Sequence, residues 1–139
     1  MEIAENIKNL IPIFEKYSEV KLAYLFGSRA TGKIGPLSDY DFAIYLDEKN
    51  EKKRFDLRLD LMGEISIKLK TDNVDLVVIN DLDAPELKYN IIKEGVLLLE
   101  REPFKLLVEP KIQNEFFDFR RSLINYKLSK AYDEYANKL

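Results

Sequence analysis

Short apolar runs alternate along this chain with longer amphipathic stretches, and that alternation narrows the possible folds more than any other feature. Val20–Phe26, made of β-branched, leucine and aromatic residues and closed by Gly27, reads as a buried strand. Asp39–Leu46 reads as a second strand, with Tyr40, Phe42, Ile44 and Leu46 on one face and Asp39, Asp41, Ala43 and Tyr45 on the other. Val74–Ile79 is the third and Val96–Leu99 a short fourth. Strands separated by helices predict a single α/β domain, and 139 residues leave room for one compact domain and not two.

The helices follow from spacing. Ile3, Ile7, Leu10, Ile11 and Phe14 recur at helical intervals, with Pro12 expected to kink or interrupt the helix. From Ser28 to Ser38, Gly32, Gly35 and Pro36 leave space for one short helical turn. Phe55, Leu59, Met62 and Leu69, with Leu61 and Ile65 alongside, predict a long helix over Glu51–Lys70 whose charged face carries Lys52, Lys53, Arg54 and Glu64. Asp83-Ala84-Pro85 opens another helix, with an acidic cap and a first-turn proline, that stops at Gly95. Pro103 and Pro110 punctuate the next stretch, and Lys111–Leu139, free of Gly and Pro, predicts one long terminal helix.

Composition removes whole classes of chemistry. There is no cysteine and no histidine, which excludes thiol nucleophiles, zinc ribbons, Ser-His-Asp arrangements and imidazole acid–base work. Reactions must run on carboxylates, hydroxyls, Lys, Arg and bound ions. Twenty-two basic against 25 acidic residues give a net charge of −3, so direct nucleic-acid binding is not expected. No apolar run is long enough for a membrane span and no signal peptide is recognisable, so the expected location is cytoplasmic.

One constellation carries chemistry: Gly27-Ser28, a ten-residue spacer, then Asp39-Tyr40-Asp41. Residues two apart on a strand point the same way, about 6.6 Å apart, so the two carboxylates emerge side by side. Such a pair repels itself unless a cation sits between, and Mg2+ suits it because that ion shares carboxylates with substrate phosphates. Two such ions could clamp both oxygens of a phosphoryl displacement. Asp75 is the best third carboxylate, since it opens an apolar strand as Asp41 does; Asp72, the nearby competitor, falls before the strand. Gly27 lets the backbone turn sharply against a ligand, Ser28 can offer its hydroxyl and N–H to a phosphate, and Arg29 can add a charge-assisted contact.

At these residues the chain resembles the nucleotidyltransferase superfamily that includes DNA polymerase β and the aminoglycoside nucleotidyltransferases. Within it, the stretch LAYLFGSRATGKIGPLSDYDFAIYLD, including Ser38, is most similar to the minimal nucleotidyltransferases, the antitoxin halves of HEPN/MNT toxin–antitoxin pairs. VDLVVIN matches as the third-acid strand and FFDF as the antitoxin-like tail. Members often carry Ala-Arg-Gly where this chain has Ala30-Thr31-Gly32. The resemblance implies a nucleotidyltransferase domain at 1–102, a mixed sheet flanked by helices, and a helical tail at 103–139 that docks a partner. It also implies transfer of AMP from ATP to a tyrosine hydroxyl of a HEPN ribonuclease toxin. By that similarity Asp39, Asp41 and Asp75 hold two Mg2+ ions, Asp75 takes the acceptor's proton, and Gly27, Ser28 and Arg29 seat the triphosphate.

Two other readings compete: a transferase acting on a small hydroxylated molecule such as an antibiotic, and an antitoxin that neutralises by binding alone. The tail bears on them: its apolar stripe can pack on its own domain, as such stripes more often do, or on a partner, because Phe116, Phe117 and Phe119 spread around more than one helical face and a domain this small struggles to cover them all. The basic clusters Lys52-Lys53-Arg54 and Arg120-Arg121 read as solvated helix surface.

Overall fold

The computed structural model describes residues 3–32 and 39–138. Two short helices, α1 (Glu5–Lys8) and α2 (Ile11–Glu15), lead into β1 (Val20–Phe26), a four-residue helix α3 (Ser28–Thr31) and β2 (Tyr40–Leu46). Then come α4 (Glu51–Leu69), β3 (Val74–Val78), a 3₁₀ turn at Ile79–Asp81, α5 (Pro85–Glu94), β4 (Val96–Glu100) and α6 (Phe104–Ala136). The strands form one sheet in the order β3-β2-β1-β4. Both neighbours of β1 run antiparallel to it, whereas β2 and β3 are parallel, so the expected mixed α/β sheet is what forms.

Each face of the sheet buries its own cluster. Ala23 and Leu25 of β1 and Phe42, Ile44 and Leu46 of β2 pack against Leu10, Phe14, Leu61 and Ile65 from α2 and α4. Leu22, Tyr24 and Ala43, one residue out of phase, pack against Ile91 of α5 and Val108 and Ile112 of α6. The strict alternation expected for β2 therefore holds, and both of its faces are covered. Pro12 sits in the first turn of α2, where its missing N–H costs nothing, and the leading segment divides at Asn9–Leu10 into two helices.

Expectations for three helices are corrected. In α4 the buried stripe is Leu61 and Ile65, with Leu57 and Met62 partly covered, while Phe55 and Leu59 face solvent. Apolar residues encircle this helix, and only its approach to the sheet selects the buried side. Arg54 is not solvated surface either: it is bound to Asp81 and to the carbonyls of Glu48 and Lys49. At α5 the cap position is held by Ala84 and not Asp83, with no side-chain cap bond. Finally, α6 starts at Phe104 and passes straight through Pro110. That proline forfeits the bond to the Leu106 carbonyl, but Leu106 is exposed and water can serve it, while Val108 and Ile112 on either side anchor the helix to the sheet.

Polar side chains close the seams. Asn80 donates to the Leu46 carbonyl at 2.8 Å and accepts from the Leu46 N–H at 3.0 Å, acting as an extra rung at the end of β2. Lys88, 91% buried by its 9% exposure, pairs with both oxygens of Glu115 and joins α5 to α6. Arg101, just past β4, donates to the carbonyls of Glu15, Tyr17, Ser18 and Val20 at 2.7 to 3.1 Å, tying the N-terminal helices to the sheet. Arg101→Met leaves those acceptors to water where water can reach and unpaired elsewhere. It is expected to cost about 2 to 3 kcal/mol in a urea unfolding titration.

Candidate active site

The site is built where β1 ends. Gly27 has φ +74°, a left-handed conformation that side chains resist, and a Cβ placed there would lie 2.5 Å from Oδ2 of Asp41. Two independent reasons therefore require glycine: the turn needs its backbone freedom, and the Asp41 carboxylate occupies the space. The turn continues into α3, where Ala30 and Thr31 donate their N–H groups to the Gly27 carbonyl and Ser28 takes the first helical position. Helix geometry leaves the Ser28 N–H without an intrahelical acceptor. The Thr31 hydroxyl turns back on the Gly27 and Ser28 carbonyls at 3.4 Å, and Gly32 closes the turn with φ +81°.

Sheet pairing brings the carboxylates together. Antiparallel pairing sets Phe26 opposite Asp41, and parallel pairing sets Asp41 opposite Asp75, so both acids occupy one rung on one face. Adjacent strands lie about 4.8 Å apart. Asp39 stands two residues before Asp41, exposed at the mouth of β2. The Asp41 carboxyl is raised above its ordinary value of 3.8 by burial first, then by the charges of Asp75 and Asp39. All three acids thus act on one point. Among the described residues no three or more acidic side chains are grouped closely enough to hold a metal ion. Asp72 lies in the exposed bend before β3, outside this cluster.

Arg29 lies with its guanidinium 3.6 Å from the centre of the Tyr40 ring, and Tyr40 receives a hydrogen bond from Asn6. Tyr40 alternates to the opposite face of β2 from Asp41, so this stack sits across the strand from the carboxylates. Ser38 and the rest of the spacer from 33 to 38 lie outside the described residues. One neighbour of the acids escaped the sequence reading. Arg58 of α4 donates from Nε to the Leu76 carbonyl at 2.6 Å, and its Nη2 lies 3.8 Å from Oδ1 of Asp75. Nothing in the pattern separated it from the other charged residues of α4; only its position four residues after Arg54, on the same side of the helix, hinted at a shared role.

A glycine-serine turn beside paired acids at the open end of a mixed sheet defines a nucleotidyltransferase. The profile of the polymerase beta nucleotidyltransferase family matches residues 8–104, and this chain belongs to that family. Over 92% of its length it is 29% identical to the protein adenylyltransferase MntA of Aphanizomenon flos-aquae, covering 83% of that protein. Among solved structures, it superimposes with a TM-score of 0.68 on a toxin–antitoxin chain crystallised with AMP-PNP, at 21% identity, over 87% of this chain and 98% of that one. A second match, at TM-score 0.63 and 20% identity over 88% and 96% of the two chains, is to a complex of a tri-AMPylated Shewanella oneidensis HEPN toxin with its MNT antitoxin. These structures share the fold, and the resemblance to the minimal nucleotidyltransferases read from the sequence is borne out.

The raised Asp41 carboxyl yields a stability prediction. A carboxyl held above its unfolded value favours its protonated form in the fold, so its contribution is complete below 3.8 and is lost as pH climbs through the folded value. At neutral pH the ionised group therefore weighs against folding. Asp41→Asn is expected to raise the melting temperature of the metal-free protein at pH 7, with the gain shrinking as the pH falls through the raised folded value and absent below 3.8. Calorimetric scans of both proteins across that range check the sign.

Proposed function

We propose that this protein is a cytoplasmic antitoxin that transfers AMP from ATP to a tyrosine hydroxyl of a cognate HEPN ribonuclease toxin. The observation that carries this reading is the single rung on which Asp41 faces Asp75 beside Gly27. The relatives support AMP transfer to a HEPN toxin: one is named a protein adenylyltransferase, another is complexed with an AMPylated HEPN toxin.

The donor set suits two Mg2+ ions. Asp39, Asp41 and Asp75 present only carboxylate oxygens, and the mutual charge that raises Asp41 is the field a divalent cation would relieve. An ion held by these carboxylates would take its remaining oxygens from the nucleotide's phosphates and water. Bound there, Mg2+ supplies charge neutralisation for the phosphoryl group in transfer. The Gly27-Ser28 turn seats the triphosphate, with the Ser28 hydroxyl and N–H as donors and Arg29 of the same turn supplying a charge-assisted contact. Asp75, half exposed on the outer strand, accepts the proton of the acceptor hydroxyl. As that oxygen bonds to the α-phosphorus, the bond to the β-phosphate oxygen breaks and pyrophosphate departs.

The tail suits the delivery of a protein acceptor. Phe104 packs beside Tyr45 and Lys21, Glu109 lies beside Tyr24, and Phe116 stacks on Tyr89, so α6 advances along β1 in the direction of Gly27. From Phe117 onward every described residue is exposed, including Phe119, Leu123, Ile124, Tyr126, Tyr132 and Tyr135. The segment 103–139 is thus proposed as the docking extension of the 1–102 nucleotidyltransferase domain. A toxin seated on it stands at the end of the sheet where the acids converge.

Asp75→Asn separates catalysis from binding. The variant is expected to co-purify with the toxin while failing to add AMP, seen as loss of a mass increment of about 329 Da on the toxin. Protection of cells equal to the parent's would replace transfer with neutralisation by binding alone. Ser28→Ala removes one hydrogen bond to a charged group, worth about 1.5 to 3 kcal/mol, and is expected to slow transfer by about 10- to 100-fold. Rate measurements, with circular dichroism to verify the fold, test it.

A further inference from the structure

We infer that Arg58 is a positioning residue that orients the Asp75 carboxylate, an assignment that rests on the role given to Asp75 above. β3 is the outer strand of the sheet and Asp75 is half exposed on it. Asp41 on the next strand repels it across their shared rung. Arg58 is an ion-pair partner of Asp75. Its guanidinium is planar, so the 2.6 Å bond from Nε to the Leu76 carbonyl limits where the Nη atoms can lie. Nη2 is thereby held 3.8 Å from Oδ1 of Asp75. That distance is beyond a hydrogen bond. The contact aims the carboxylate by charge and leaves both oxygens able to meet a cation.

A neighbouring arginine supplies the contrast. Arg54, one helical turn earlier, straps α4 to the far end of β3 through Asp81, with Nη2 to Oδ1 at 2.6 Å and Nε near both oxygens. It reaches two loop carbonyls as well. Arg54 thus makes the tighter contact yet touches no acid of the site. If arginines on α4 served only to fasten the outer strand, loss of Arg54 would matter more than loss of Arg58. A positioning role predicts the reverse for everything that reads Asp75.

The test compares the parent with Arg58→Met, Arg58→Lys and Arg54→Met. In the metal-free protein, NMR couplings of Asp75 are expected to report one χ1 rotamer in the parent and in Arg54→Met, and rotamer averaging in Arg58→Met. With AMP-PNP present, Mn2+ affinity measured by electron paramagnetic resonance is expected to fall about 10- to 100-fold in Arg58→Met and to stay within about twofold in Arg54→Met. In transfer assays kcat is expected to fall by a similar factor with little change in KM for ATP; in an Asp75→Asn background, where transfer is already lost, Arg58→Met is expected to cost no further Mn2+ affinity. An unchanged rotamer and Mn2+ affinity in a folded Arg58→Met protein overturns the inference, as does an equal loss in both backgrounds. Should Arg58→Met not fold, Arg58→Lys, which keeps the charge and loses the fork, is read instead: averaging of the Asp75 rotamer supports the inference, and a single rotamer overturns it. Because the rotamer measurement needs neither ATP nor toxin, a parent that orders Asp75 through Arg58 but transfers no AMP defeats the proposed function alone.

Discussion

The parallel pairing of β2 with β3 organises this molecule. It places Asp75 across from Asp41 on one rung, while the antiparallel pairing of β1 with β2 brings the Gly27 turn against the same carboxylate. A parallel neighbour requires a crossover, and α4 supplies it, packing Leu61 and Ile65 on one face of the sheet as it returns the chain. A one-residue slip in that register would turn Asp75 to the other face and bury it among the side chains that α4 covers. Site and core are therefore secured by the same pairing.

That arrangement works against itself electrostatically. Three acids at one end of the sheet raise the Asp41 carboxyl and weigh against the empty fold. The opposition is met by packing elsewhere: a sheet covered on both faces, the Asn80 rung on Leu46, the Arg101 bonds to the N-terminal segment and the Lys88–Glu115 pair between α5 and α6. Stability resides at a distance from the carboxylates.

The terminal helix has two parts with different physics. Its first turns, around Val108 and Ile112, belong to the core, and Tyr24 and Glu109 meet there, each raised by burial above its ordinary value. Its last turns carry exposed aromatic side chains, among them Tyr126, Tyr132 and Tyr135. A helix 33 residues long thus ends in exposed apolar and aromatic side chains.

Much of this was legible in local chemistry. Strand runs, the turn at Gly27-Ser28, the alternation of β2 and the two-residue spacing of Asp39 and Asp41 follow from side-chain periodicity and backbone freedom, which are properties of neighbouring residues. Asp75 was recognisable by its place at the head of an apolar strand, though its meeting with Asp41 was conditional on which strands became neighbours. Local rules failed where several surfaces were equally apolar or equally charged. Leu61 was buried and Phe55 was not because α4 approached the sheet from one side; α6 ran through Pro110 because Val108 and Ile112 were both anchored. Arg54 and Arg58 looked like any solvated cations until the outer strand gave them carbonyls and carboxylates to hold. Periodicity along one chain names the elements and the residues that can do chemistry, but contacts between distant segments set which faces are buried and which charges meet, because burial and Coulomb energy depend on separation in space.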